Sequence, residues 1–83
     1  MDTIARTPQQ LGAAIRRQRK LAGQSQDELG ARIGLRQATI SKLEAGEPAT
    51  RIQTLLDTLA ALDLELVVRP RTKGSVAEIE DIF

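Results

Sequence analysis

Ser25-Gln26-Asp27-Glu28-Leu29-Gly30-Ala31-Arg32-Ile33-Gly34-Leu35-Arg36-Gln37-Ala38-Thr39-Ile40-Ser41-Lys42-Leu43-Glu44 is the stretch that decides the fold. It reads as two short helices joined by a tight turn. Ser25 precedes a helical run and Glu28 follows it at the spacing of a capping box. Leu29 and Ile33 are four apart and share one helix face. Gly34 supplies the left-handed residue that ends the first helix. Ile40 and Leu43 then mark the inward face of the second. That leaves Arg36, Gln37, Thr39, Ser41 and Lys42 pointing outward, donors and small groups suited to base edges and phosphates. Two helices so joined, with a polar second helix, are the elements of a unit that reads the major groove.

Working toward the N-terminus, Thr7-Pro8 opens a first helix, with Thr7 as N-cap, Pro8 at the first helical position and Gln10 three residues after the cap. Residues 1–7 form an arm ahead of it. Leu11, Ala14, Ile15 and Ala22 give an inward stripe, Ala22-Gly23 ends the helix, and Arg16, Arg17, Arg19 and Lys20 cover the remaining surface. That basic run is either a solvated helix face or a set of phosphate contacts, with Arg17 as the candidate.

Toward the C-terminus, the turn Ala45-Gly46-Glu47-Pro48 leads to a fourth helix, with Thr50 as expected cap and Gln53 in the capping-box position. Ile52, Leu55, Leu56, Leu59 and Leu62 form a wide apolar stripe, for the core and in part for a dimer surface. Over Leu62–Arg69 the period changes from helical to alternating. Leu64, Leu66 and Val68 lie on one side of a strand, with Glu65, Val67 and Arg69 on the other, and Pro70 stops it. A lone strand must satisfy its backbone groups elsewhere, and the same strand of a second copy across a two-fold axis does so most simply. Leu64, Leu66, Val67 and Val68 are therefore expected to form a dimer strand.

Residues 71–83 are a linker followed by an acidic tail. Val76, Ile79 and Phe83 fall on one helical face beside Glu78, Glu80 and Asp81. Such a tail either docks on a basic partner surface or stays disordered as a protease signal.

Composition narrows the function. The chain has 83 residues, enough for a single domain, and neither cysteine nor histidine. The usual zinc ligands, the thiol nucleophile and the commonest general base are all missing, so neither a metal centre nor an enzyme is expected, and no cofactor is implied. No apolar run reaches a membrane span and no secretory signal is visible, which leads to an expected cytoplasmic protein. The net charge of +1 conceals a segregation. Residues 1–42 hold eight Lys/Arg against three acids, whereas residues 43–83 hold four against eight. The basic half contains the proposed reading helix, as nucleic-acid binding requires.

The pattern Gln26-x-x-Leu29-x-x-x-Ile33-Gly34-x-x-x-x-x-Ile40-x-x-x-Glu44 resembles the Cro/phage-repressor (XRE) helix-turn-helix family. Gly30 departs from it, since the family usually has alanine there. The resemblance implies an Arg19–Glu44 pair fixing the reading helix against the first and neutralising an acid near DNA. The strand following the fourth helix narrows the likeness. Over about residues 8–70 the chain resembles the HipB-type antitoxins, through Ile33-Gly34-Leu35-Arg36-Gln37-Ala38-Thr39-Ile40-Ser41 and the Leu-Glu-Leu strand.

That resemblance implies a mainly α fold: a repressor-like four-helix helix-turn-helix domain (residues 8–62) plus one C-terminal β-strand (63–70) pairing across a homodimer. It implies an antitoxin that represses transcription from an inverted-repeat operator in double-stranded DNA and binds a HipA-like Ser/Thr kinase toxin. On this reading Arg36, Gln37, Ala38 and Ser41 read bases, while Gln26, Thr39, Lys42 and Arg17 hold phosphates. Val76, Ile79 and Phe83 meet the partner. A free-standing phage-type repressor is the alternative. An interaction module without DNA binding is disfavoured by Arg36, Gln37 and Lys42 on the reading helix.

Overall fold

The computed structural model describes residues 2–71, which contain four helices: α1 (Pro8–Leu21), α2 (Gln26–Ile33), α3 (Gln37–Glu44) and α4 (Ile52–Ala61). Their starts follow local chemistry. Thr7 is extended and its hydroxyl accepts from the Gln10 N–H at 3.0 Å, while the Gln10 side-chain oxygen accepts from the Arg6 N–H at 2.7 Å. At α2 the capping box closes in both directions: Ser25 Oγ accepts from the Glu28 N–H at 3.0 Å, and Glu28 Oε1 accepts from the Ser25 N–H at 2.9 Å. Gly34 ends α2 with φ 71°, in the left-handed region.

The expected cap of α4 is corrected. Arg51, not Thr50, is its N-cap, and no side chain caps it. The Thr50 hydroxyl is used inside the preceding turn, donating to the Glu47 carbonyl at 2.9 Å, and Gln53 donates forward to Asp57 Oδ1 at 2.8 Å. With its hydroxyl turned back, Thr50 has no acceptor to offer the helix, which begins beyond it.

Helix α3 packs against both α1 and α2, and α2 also packs against α4. Ile15, Leu29 and Ile40 are fully buried, and Leu43 and Leu59 nearly so; Leu11, Leu55, Leu62 and Leu64 close around them. Gly12 permits the closest approach, because a Cβ there would run into the carbonyl oxygens of Leu43 and Glu44 at the end of α3. Thr58, polar by sequence, is fully buried with its hydroxyl bonded to the Thr54 carbonyl at 2.8 Å. Ala22 is exposed rather than inward, since the helix has already ended. Ile52 is 73% exposed, so the apolar stripe of α4 is wider than the core that uses it.

Asp63 follows α4 with φ 59°, the N–H of Asp63 donates to the Ala60 carbonyl at 3.1 Å, and that of Leu64 to the Leu59 carbonyl at 2.8 Å. This is the reversal of a Schellman motif, closed by the contact of Leu64 with the core that holds Leu59. Leu64, expected on a dimer strand, thus packs against its own protomer. Beyond it the chain carries no helix, and no β-ladder forms among the described residues. A ladder needs a second strand, and none lies among the described residues. The expected tail residues Val76, Ile79 and Phe83 lie outside the described residues. No described helix is long and apolar enough to cross a membrane.

Candidate nucleic-acid interface

The reading helix offers two kinds of position. Arg36, Gln37, Ala38 and Lys42 are exposed, with Arg36 at the N-cap and Gln37 opening the first turn. Thr39 and Ser41, expected outward, are half-buried. Arg36 makes no side-chain cap bond, so the first turn of α3 keeps its N–H groups facing outward beside a cation. On α1, Arg16, Arg17 and Lys20 are exposed, whereas Arg19 is withdrawn from the surface at 7% exposure.

Arg19 is withdrawn because it holds Glu44. Arg19 Nε donates to Glu44 Oε2 at 2.6 Å and Nη2 to Oε1 at 3.0 Å, while Nη1 donates to the Gln24 carbonyl at 2.8 Å. The planar guanidinium therefore ties the end of α1, the end of α3 and the loop before α2 together. Burial pushes the Glu44 carboxyl upward. The hydrogen bonds from Arg19 and Gln26, with the charges of Arg19 and Arg16, outweigh that and hold it below the usual carboxylate range. The bond to Glu44 raises Arg19 in turn.

The network continues outward. Gln26 Nε2 donates to Glu44 Oε1 at 3.1 Å, and Gln37 Nε2 donates to Gln26 Oε1. A chain of four side chains thus runs from a buried ion pair to an exposed amide on the reading helix. The sequence reading gave Gln26 to phosphate alone and missed its place between Glu44 and Gln37. The signal was present: Gln26 and Gln37 each open their helix, on either side of a tight turn.

Away from this face, Leu66, Val67 and Val68 are exposed, Val68 at 92%. They border a groove of about 1040 Å³ whose other wall is the N-terminal arm and whose floor includes Ala14, Ile15, Leu59 and Ala60. Among the described residues no cluster of three or more acidic, histidine or cysteine side chains could hold a metal ion.

Two helices locked at a glycine turn, the second presenting Arg36, Gln37 and Lys42, define a helix-turn-helix domain. The helix-turn-helix family model matches residues 15–68. The chain belongs to that family, in its Cro/phage-repressor branch and its HipB-like group. It is 33% identical over 78 residues to the antitoxin HipB of Escherichia coli, covering 92% of this chain and 83% of that protein. It is 44% identical over 63 residues to the HTH-type transcriptional regulator y4dL of Sinorhizobium fredii, covering 76% of this chain but only 30% of the regulator's length. Its structure matches a chain of a HipA-HipB-O2-O3 complex with a TM-score of 0.79 at 31% identity, covering 86% of this chain and all of the other.

Proposed function

We propose that the protein is a dimeric, sequence-specific repressor that binds an inverted-repeat operator in double-stranded DNA. We further propose that it is the antitoxin of a toxin–antitoxin pair, with a HipA-like Ser/Thr kinase as toxin. The observation that carries the first half is the reading helix itself. Its only acid, Glu44, is neutralised by a buried arginine, while Arg36, Gln37 and Lys42 stay exposed. A cationic face with its one anion locked away is what a polyanion needs. Arg36, Gln37, Ala38 and Ser41 would read base edges. Gln26, Thr39, Lys42 and Arg17 would hold the backbone. The exposed run Leu66, Val67 and Val68, beside an open groove, supports strand pairing across a two-fold axis, with Leu64 anchoring the strand to its own core. Likeness to HipB, and to a chain of a complex containing HipA, supports the toxin half. The acidic tail with Val76, Ile79 and Phe83 would meet that toxin.

Likeness to y4dL favours the second reading, a regulator without a toxin. A kinase-like reading frame beside the gene supports the antitoxin, and calorimetry with that kinase decides. Micromolar or tighter binding, weakened when residues 74–83 are removed, is the expected result. No measurable heat leaves the regulator reading. Sedimentation of Leu66→Pro tests the strand, since proline removes ladder bonds and this variant should be monomeric.

A further inference from the structure

The hydrogen-bond chain Arg19–Glu44–Gln26–Gln37 has a fixed direction, and it starts from a group that can only accept. An ionised carboxylate has no proton to give. The Gln26 atom 3.1 Å from Glu44 Oε1 must therefore be its amide nitrogen. That turns the Gln26 carbonyl oxygen toward Gln37, which must answer with its own amide nitrogen. Gln37 is left with one N–H and its carbonyl oxygen for anything it meets. Were Glu44 unpaired or absent, either amide could rotate by half a turn and Gln37 could present two donors.

We infer that Glu44, acting through Gln26, is a positioning residue for base choice: it fixes the amide of Gln37 as one donor plus one acceptor and so selects adenine over guanine. The inference rests on the DNA-reading role proposed above. In the major groove adenine offers one acceptor, N7, beside one donor, the N6 amino group, which a donor–acceptor amide matches at both points. Guanine offers two acceptors, N7 and O6, and a Gln37 that has committed one N–H to Gln26 can satisfy them only in part. The depressed Glu44 carboxyl keeps the group ionised at neutral pH, so the direction holds under ordinary conditions. Gln26 retains a second N–H, free for a phosphate, so its two roles do not compete.

The test uses the full-length chain and a duplex selected by the wild-type protein from a randomised pool. The relevant base pair is the one at which Gln37→Ala loses its preference. Competition titrations then compare this duplex with its copy carrying G·C for A·T at that pair. The decisive variant is Gln26→Lys, which keeps a donor for Glu44 and a cation for phosphate but offers Gln37 no acceptor. It should bind total DNA as tightly as wild type or more tightly, while its adenine-over-guanine ratio falls about tenfold. Gln26→Leu should show the same lowered ratio with weaker overall binding. A merely structural or phosphate-holding Gln26 would change affinity and leave the ratio alone. An unchanged ratio in Gln26→Lys, with Gln37→Ala still erasing it, overturns the relay and leaves the DNA-binding reading intact. A wild-type preference for guanine at that pair overturns the relay too. A Gln37→Ala protein that keeps every preference of wild type removes the base-reading role itself.

Discussion

Gly12 on α1 lies so close to the carbonyl of Glu44 at the end of α3 that no Cβ fits between them, and the Leu43 carbonyl crowds the same space. Both obstacles are backbone, so no side chain can swing aside. Gly12→Ala should force α1 off α3 and cost about 1–3 kcal/mol, even though alanine favours the helix by about 1 kcal/mol. Gly30→Ala should cost less, because the new Cβ would meet chiefly the Leu35 carbonyl, 2.5 Å away. Urea midpoints of the two variants check both the sign and the order.

Arg19 and Glu44 carry a pH prediction. The Glu44 carboxyl is held below its ordinary value of 4.5 in the folded chain. Between the folded and ordinary values the unfolded chain binds a proton that the folded chain does not, so stability rises with pH across that window. The contribution is complete above the ordinary value and lost as pH falls through the folded one. Glu28, lowered by its hydrogen bonds to Ser25, adds in the same direction. Arg19, raised, adds stability that would be lost only in strong alkali. Glu44→Gln should cost about 3–5 kcal/mol at neutral pH by leaving Arg19 buried without its anion. Replacing both partners, as Arg19→Met with Glu44→Leu, should recover much of that loss. Denaturation of this double variant between about pH 3 and 5 should show a flatter profile than wild type.

Asp63 holds a left-handed backbone that a residue with a Cβ adopts only at a cost. Asp63→Gly should therefore raise stability by about 0.5–1 kcal/mol, and Asp63→Val should lower it. Thermal melts of the two variants, moving in opposite directions, would confirm the strain at this helix end.

The sequence announces elements whose signals are local. The Ser25–Glu28 box, the Thr7-Pro8 start and the Gly34 stop depend on residues within one turn of one another, and each stands where its spacing predicts. What it conceals is set by packing between helices. Gly12 looks like a weak helix residue until α3 lies against it, and Thr58 looks like a surface residue until α2 covers it. The α4 cap is misread because two neighbouring groups, the Glu47 carbonyl and the helix N–H groups, compete for one Thr50 hydroxyl, and sequence does not rank them. At the candidate interface the exposed residues are legible from helical spacing. The Gln26–Gln37 bond is not, because it crosses between helices.

The central claim is that two reading helices act together on one symmetric site. Selection of the full-length protein on a randomised duplex pool, sequenced and read for symmetry, tests it most directly. The prediction is an enriched inverted repeat whose half-site centres lie about one helical turn, or a whole number of turns, apart. Preferences within each half-site should be reduced by Gln37→Ala. Enrichment of a single unrepeated half-site would contradict the dimer, and a pool that stays random at low salt would contradict sequence-specific binding altogether.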